Sequence, residues 1–382
     1  MASAHPLGID LDQFPIIQNQ IYLNHAGTAP ITRAAADMLK TFADEVSGYA
    51  SSVYSRWTKR SEETRDTAAR MMGAHRDEIG FTKSTTAGLN LVGVGLNWKK
   101  GDVVVVEEKT FPANFLAWKA AEYYGATLWY WPERNFGYDL SELETRLKQG
   151  GVRLVASTTA QFATGFRQDI VGVGKLCHQY GALHCTDAIQ TLGVFPLDVR
   201  EAHIDFLAAD SHKWLMGPEG AAIFYCAKDK LNLINEHLIG WLGRENPSDY
   251  DKRDMAPAPT ARRFEEGSPN IGGTMAMGES LKLIIETGIP NIARHNRMLC
   301  GMLHDGLAEQ GWKLRSPRDD AKAASIVCAQ KDGVNLGELT GKLWNDHKIF
   351  AAVRREALRL SPHYYQTAEE MKRVLEAIRV SS

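Results

Sequence analysis

Lys213 stands in "SHKWLMGPEG" (211–220), directly after the apolar run "IDFLAAD" that ends in Asp210. An amine at the end of a buried strand is kept from water, which drives off its proton and makes it a nucleophile. Other apolar runs also end in polar residues. "ALHC" leads into "TDAIQTLG", with Asp187 at the strand end and Gln190 one turn on. "EIGFT" leads into "KSTTAGLNLV", where Ser84, Thr85 and Thr86 open a helix and Gly88 keeps that turn slim. Open N–H groups and hydroxyls at a helix start suit an anion such as phosphate. "VVVVEE" leads into "KTFPANF", which offers the Phe111 ring, and "VRLVAST" into "TAQFATG", which offers the Gln161 amide. Singly, each has a plainer reading as a helix cap, a core aromatic or a structural carboxylate.

Together these residues describe a ligand. In an open α/β sheet, ligands bind beyond the carboxyl ends of the strands. An anion cradle, an aromatic plate, a carboxylate, an amide and a lysine on that side ask for a flat, phosphorylated ring. The ring needs a protonatable nitrogen and an aldehyde. Pyridoxal 5'-phosphate has these groups. Lys213 would form the Schiff base, and Asp187 would keep the ring nitrogen protonated.

The elements that must position these residues alternate. The runs at 78–82, 103–108, 127–131, 152–158, 182–187, 205–210 and 221–226 are apolar without strict alternation, as in strands covered on both faces. Helical patterns lie between them at 113–124, 139–149 and 169–180. This order predicts an α/β fold with a mostly parallel seven-stranded sheet. After about residue 245 the chain turns polar and rich in Pro and Gly. Helices are predicted near 274–288 and 290–309, followed by an α+β segment. We place an N-terminal segment at 1–20 packing on the small domain, a large domain at 21–289 and a smaller C-terminal domain at 290–382.

Composition narrows the class. With 44% hydrophobic and 24% charged residues, the 382-residue chain is ordinary globular material. A net charge of -2 without a Lys/Arg stripe speaks against nucleic acid or an anionic membrane as partner. No apolar stretch is long enough to span a bilayer, and "MASAHPLGIDLDQF" does not read as a signal peptide. The five cysteines are scattered, with no C-x-x-C pair. They suggest neither a disulfide framework nor a metal site, and a cytoplasmic setting follows.

Over nearly its whole length the sequence resembles the class V aminotransferases of pyridoxal-phosphate fold type I. Their relatives include cysteine desulfurases, kynureninase and isopenicillin N epimerase. The resemblance runs through "YLNHAGTAP", "STTAGLNLV", "TDAIQTLGVFPLDV", "DFLAADSHKWLMGPEG", "RRFEEGSPNIGG" and "LRLSPHYYQT". It implies Lys213 as the Schiff-base lysine, Asp187 as the partner of the ring nitrogen and Gln190 beside the ring 3-oxygen. It sets Thr85, Thr86, Ser211 and His212 around the phosphate and the lysine. Phe111 takes the ring-stacking place, and Gln161 a place often held by Asn. Ser268, in "EEGSPN", resembles the hydroxyl residue that reaches the neighbouring subunit's phosphate, which implies a homodimer with a shared active site. Arg359 resembles the arginine that grips the substrate α-carboxylate, with Arg354 in "VRRE" as its rival. His25, Tyr54, Trp57, Trp241 and His363 are candidates for the substrate pocket.

One feature of the desulfurases is missing. They carry a nucleophilic cysteine on a loop shortly before that arginine, whereas Gly333 to Arg359 holds none and Cys328 reads as core. The expected activity is transamination of a small amino acid. The alternative is an epimerase or a lyase that eliminates a β-substituent by C–S cleavage, and desulfuration is disfavoured.

Overall fold

A computed structural model describes residues 5–253 and 255–382. After a short strand, β1 (Ile21–Tyr22), come two helices, α1 (Arg33–Tyr49) and α2 (Tyr54–Met71). The strand-helix rhythm does not announce them. α2 reads as polar because its buried residues include Thr64, Arg65 and Thr67. Arg65 is buried because its guanidinium meets Glu265 at 2.7 Å and the Ile79 carbonyl at 2.6 Å.

Next come β2 (Ile79–Thr82), α3 (Thr85–Gly95), β3 (Val103–Glu107), α4 (Pro112–Glu122), β4 (Thr127–Trp131) and α5 (Leu140–Lys148). They are followed by β5 (Val152–Thr158), α6 (Ile170–Tyr180), β6 (Leu183–Asp187), β7 (Phe206–Asp210) and β8 (Ala222–Cys226). The sheet order is β2-β8-β7-β6-β5-β3-β4. β3 to β7 run parallel, and β8 is antiparallel to both its neighbours. β2 therefore points the same way as the parallel five. The carboxyl ends of β2, β3, β5, β6 and β7 open on one edge, which is what a shared site requires.

Burial explains the unbroken apolar runs. In β7 and β8, Leu207, Ala209, Ile223 and Tyr225 join one core, while Phe206, Ala208, Phe224 and Cys226 join another on the opposite face. Gly88 has a different role from the slim turn expected of it. It lies inside α3, where a Cβ would come within 2.8 Å of the Ala208 Cβ and 3.2 Å of the Phe224 ring. Its missing side chain lets α3 press onto the sheet.

Among the described residues of 227–270 the helices are short 3₁₀ turns, at Lys228–Leu233 and Ala261–Phe264, as the polar composition predicts. Then follow α7 (Ile271–Thr287), α8 (Ile289–Glu309), β9 (Lys313–Leu314), β10 (Val327–Gln330), α9 (Leu336–His347) and β11 (Ile349–Phe350). β12 (Ala352–Arg354), β13 (Ala357–Leu360) and α10 (Ala368–Ser381) complete the chain. A four-stranded antiparallel sheet runs β12-β13-β10-β9. β1 pairs with β11, Asn24 bridges to Ser361, and Phe14 stacks on Tyr365 at 4.6 Å. Among the described residues no helix is long and apolar enough to cross a membrane, and no His/Cys/Asp/Glu group could hold a metal ion.

Candidate active site

Five strand ends and the segment after β1 enclose a cavity of about 310 Å³. Its wall includes Ser84, Thr85, Thr86, Phe111, Gln161, Asp187, Gln190, His212, Lys213, Arg354 and Arg359. A larger groove of about 1100 Å³, bordered by Arg134, Gln168 and Lys322, lies elsewhere and takes in none of these. We assign the chemistry to the smaller cavity because the titratable groups converge there.

Lys213 is 8% exposed. Burial lowers its pKa to about 8, against the pull of Asp187. Asp187 ends β6 and accepts the Ile189 N–H at 3.0 Å. Its burial raises its pKa to about 6, so it remains a carboxylate at neutral pH. The Phe111 ring is 45% exposed, with its centroid 5.5 Å from Lys213 Nζ. Phe111 precedes Pro112 at the first position of α4, which sets the ring at the strand-helix junction.

Ser84 caps α3, its Oγ accepting the Ala87 N–H at 3.2 Å. The Thr85 hydroxyl accepts the Asp210 N–H at 2.9 Å, which leaves its own proton to donate. The first amides of the helix have no helical partners. This is an anion cradle at the rim of the cavity.

Gln161 uses its carbonyl on the Ala163 and Thr164 N–H groups and its amide on the Lys109 carbonyl. It shapes the loop and also lines the cavity. Arg359, 1% exposed, donates to the Phe162 carbonyl at 2.9 Å and to Asn24 Oδ1 at 2.8 Å. Burial lowers its pKa to about 10.

Seven expected residues lie off the cavity wall. His25 is fully buried, with Nδ1 2.8 Å from the Ser361 carbonyl and Nε2 2.9 Å from the Tyr365 hydroxyl. Both ring nitrogens are taken, and burial lowers its pKa to about 4. This corrects its reading as a substrate ligand: it holds the chain after β1 against the chain after β13. Ser211 is buried and donates to the Pro218 carbonyl at 2.6 Å, so its hydroxyl is committed to the turn after Lys213 rather than to phosphate. Ser268 sits exposed on a turn, outside the cavity. Tyr54, Trp57, Trp241 and His363 also lie off the wall. His363 is buried, with Nε2 3.0 Å from the Trp214 carbonyl.

Sequence reasoning missed Asn24, Thr110, Thr158 and Asp210, all on the wall. Asp210 ends an apolar run just as Asp187 does, and that signal was available. Thr158 is linked to a buried acid, with its N–H and hydroxyl both donating to Glu107, which burial raises to about 8.

Several polar atoms on this wall wait for a partner. Thr110 Oγ1, Asp210 Oδ1 and Arg359 Nε are buried without a hydrogen bond. Asp210 Oδ1 and His212 Nδ1 stand 3.0 Å apart but out of line for one. Buried polar groups are rarely left orphaned, and a bound ligand is one way to complete them.

Residues 21–374 match the family model for aminotransferase class-V. The chain belongs to this family. Class V aminotransferases are pyridoxal-phosphate enzymes, and the donors, plate and lysine of the cavity fit that cofactor. Among relatives, this class V chain is 28% identical to a probable cysteine desulfurase of Methanothermobacter thermautotrophicus over 94% of each chain. It is 26% identical to an uncharacterized aminotransferase of Bacillus subtilis over 96% of its own length and 95% of the relative's. Its fold matches the apo cysteine desulfurase of Thermococcus onnurineus with a TM-score of 0.88, at 27% identity over 97% and 96% of the two chains. The expected mostly parallel sheet of fold type I is thus present.

Proposed function

We propose that this chain is a pyridoxal-phosphate aminotransferase acting on a small amino acid. One observation carries the choice within the family. Each of the five cysteines is buried, and none lines the cavity. Cys328, beside Arg359 in the small sheet, has its pKa pushed up to about 12 by burial. A thiol in that state is a poor nucleophile, so none of the chain's own thiols is set to accept sulfur at the cavity, which supports the reading as proton transfer.

Bound here, pyridoxal phosphate supplies an aldehyde for an amine and a protonated ring that takes up charge from the α carbon. The start of α3, with Thr85 and Thr86, would hold the phosphate. Phe111 would cover one face of the ring, and Asp187 would hold the proton on the ring nitrogen. Gln190 would offer an amide N–H to the ring 3-oxygen. Lys213 would be the amine that holds the aldehyde, and its lowered pKa suits it to carry a proton to and from the substrate Cα. Arg359 holds the α-carboxylate in a two-pronged grip. The exposed Ser268 turn, with Leu238, Ile239 and Tyr250 also exposed, supports a homodimer in which Ser268 reaches the partner's phosphate.

The test incubates holoenzyme with single amino donors and measures keto acid, cofactor spectrum and optical purity together. Keto acid formed with the amine form of the cofactor, and lost in Lys213→Ala, supports transamination. Racemised donor without keto acid assigns an epimerase. Keto acid released with ammonia and no acceptor assigns a β-eliminating lyase.

A further inference from the structure

β12 and β13 are joined by a two-residue turn, Arg355–Glu356, closed by the Arg354↔Ala357 pair. Both turn residues are left-handed, with φ of 46° and 58°. A turn of this shape ordinarily takes Asn-Gly, and side chains with a Cβ are strained in it. Three side chains hold it in place. Arg355 grips Glu133, two residues past the end of β4, through two bonds, at 3.0 and 3.2 Å. Arg315 donates to the Arg355 carbonyl at 2.9 Å, and Gln330 to the Glu356 carbonyl at 2.5 Å.

The residue that this pinned turn presents to the cavity is Arg354. Its hydrogen bond is to the Val353 carbonyl, and among the described residues no carboxylate lies within ion-pair distance. Arg359 likewise lacks a carboxylate and has its Nε unpaired. The acids of the cavity are engaged elsewhere: Asp187 acts on Lys213, and Asp210 stands beside His212. Two guanidinium groups therefore line the cavity without countercharge, and the charge of Arg354 adds to what burial already costs Arg359. One α-carboxylate answers one of them. Arg354 is exposed at the rim of the cavity, and the turn that holds it there is fastened at three points.

We infer that Arg354 reads a second anionic group, so that the amino acid selected here is dicarboxylic, with its α-carboxylate on Arg359 and its side-chain acid on Arg354. Glu133 and Arg355 are positioning residues for Arg354. The inference rests on the proposed aminotransferase reading and deepens it.

The test titrates holoenzyme with L-aspartate and L-glutamate against their amide twins, L-asparagine and L-glutamine. Dissociation constants come from the cofactor absorbance, with KM and kcat measured separately. The acid of a pair binds at least about tenfold tighter than its amide, as a charge-assisted pair implies. Arg354→Gln brings that ratio towards one, chiefly through KM, and Arg354→Lys restores part of it. Glu133→Gln lowers the ratio in the same direction without removing a group that meets substrate. Equal binding of acid and amide by the wild type, or a preference that survives Arg354→Gln, overturns the inference and leaves transamination standing. Silence of the cofactor towards every amino acid overturns the aminotransferase reading and the inference with it.

Discussion

The indole N–H of Trp214 donates to Gln190 Oε1 at 2.9 Å. Indole is a donor only, so this contact must meet the carbonyl end of the amide. Gln190 Nε2 then donates to the Ala26 carbonyl at 3.2 Å and keeps a second N–H for the cavity. Trp214 thus decides which end of Gln190 faces the ligand. Trp214→Phe should release the amide and weaken pyridoxal phosphate binding by about tenfold, read by equilibrium dialysis. Melting should show a loss on the order of 1–3 kcal/mol, the cost of an orphaned buried acceptor.

Lys213 costs the cofactor-free fold stability. Its folded pKa of about 8 lies below its ordinary 10.5 because burial opposes the charge. Between those values the unfolded chain binds more protons, so stability rises with pH across that window. Below pH 8 the penalty is present in full. Lys213→Met should therefore stabilise the cofactor-free protein at pH 7 by up to about 3 kcal/mol. The gain should shrink from pH 8 to 10.5. Denaturant titrations of both proteins at several pH values check this, and a constant difference across the range would refute it.

Phe111 is expected to contribute more to cofactor binding than to the fold. Its ring is 45% exposed and meets Phe162 edge-on at 5.3 Å. Phe111→Ala should leave the denaturation midpoint within error. The dissociation constant for pyridoxal phosphate should rise about three- to tenfold, the worth of one stacking contact.

The thiols should be silent in the native state. All five cysteines are buried, so a colorimetric thiol reagent should find none before unfolding and five after. Cys328→Ala should retain transamination. Loss of turnover in that variant, with the fold intact by circular dichroism, would bring sulfur chemistry back.

The strand ends were legible because each apolar run announces its own end, and Asp187, Lys213 and Phe111 follow such runs directly. β5 and β4 even match their sequence boundaries. The walls contributed by distant segments were harder to read. Asn24 enters the cavity through pairing with a strand more than 300 residues away, a relation with no local trace. His25 was misread for the complementary reason: a histidine in a functional segment looks reactive until its two hydrogen bonds are seen. α2 escaped because ion pairing, rather than an apolar stripe, lets Arg65 go inside.

The bond between Arg359 and Asn24 also sets a timetable for synthesis. The two residues are 335 positions apart. A ribosome adding about 5–20 residues per second needs on the order of half a minute to travel from one to the other. The strand ends that bear Thr85, Asp187 and Lys213 are finished well before that. The nascent chain can therefore assemble the proposed cofactor seat before Arg359, the proposed grip for the substrate's carboxylate, has been made.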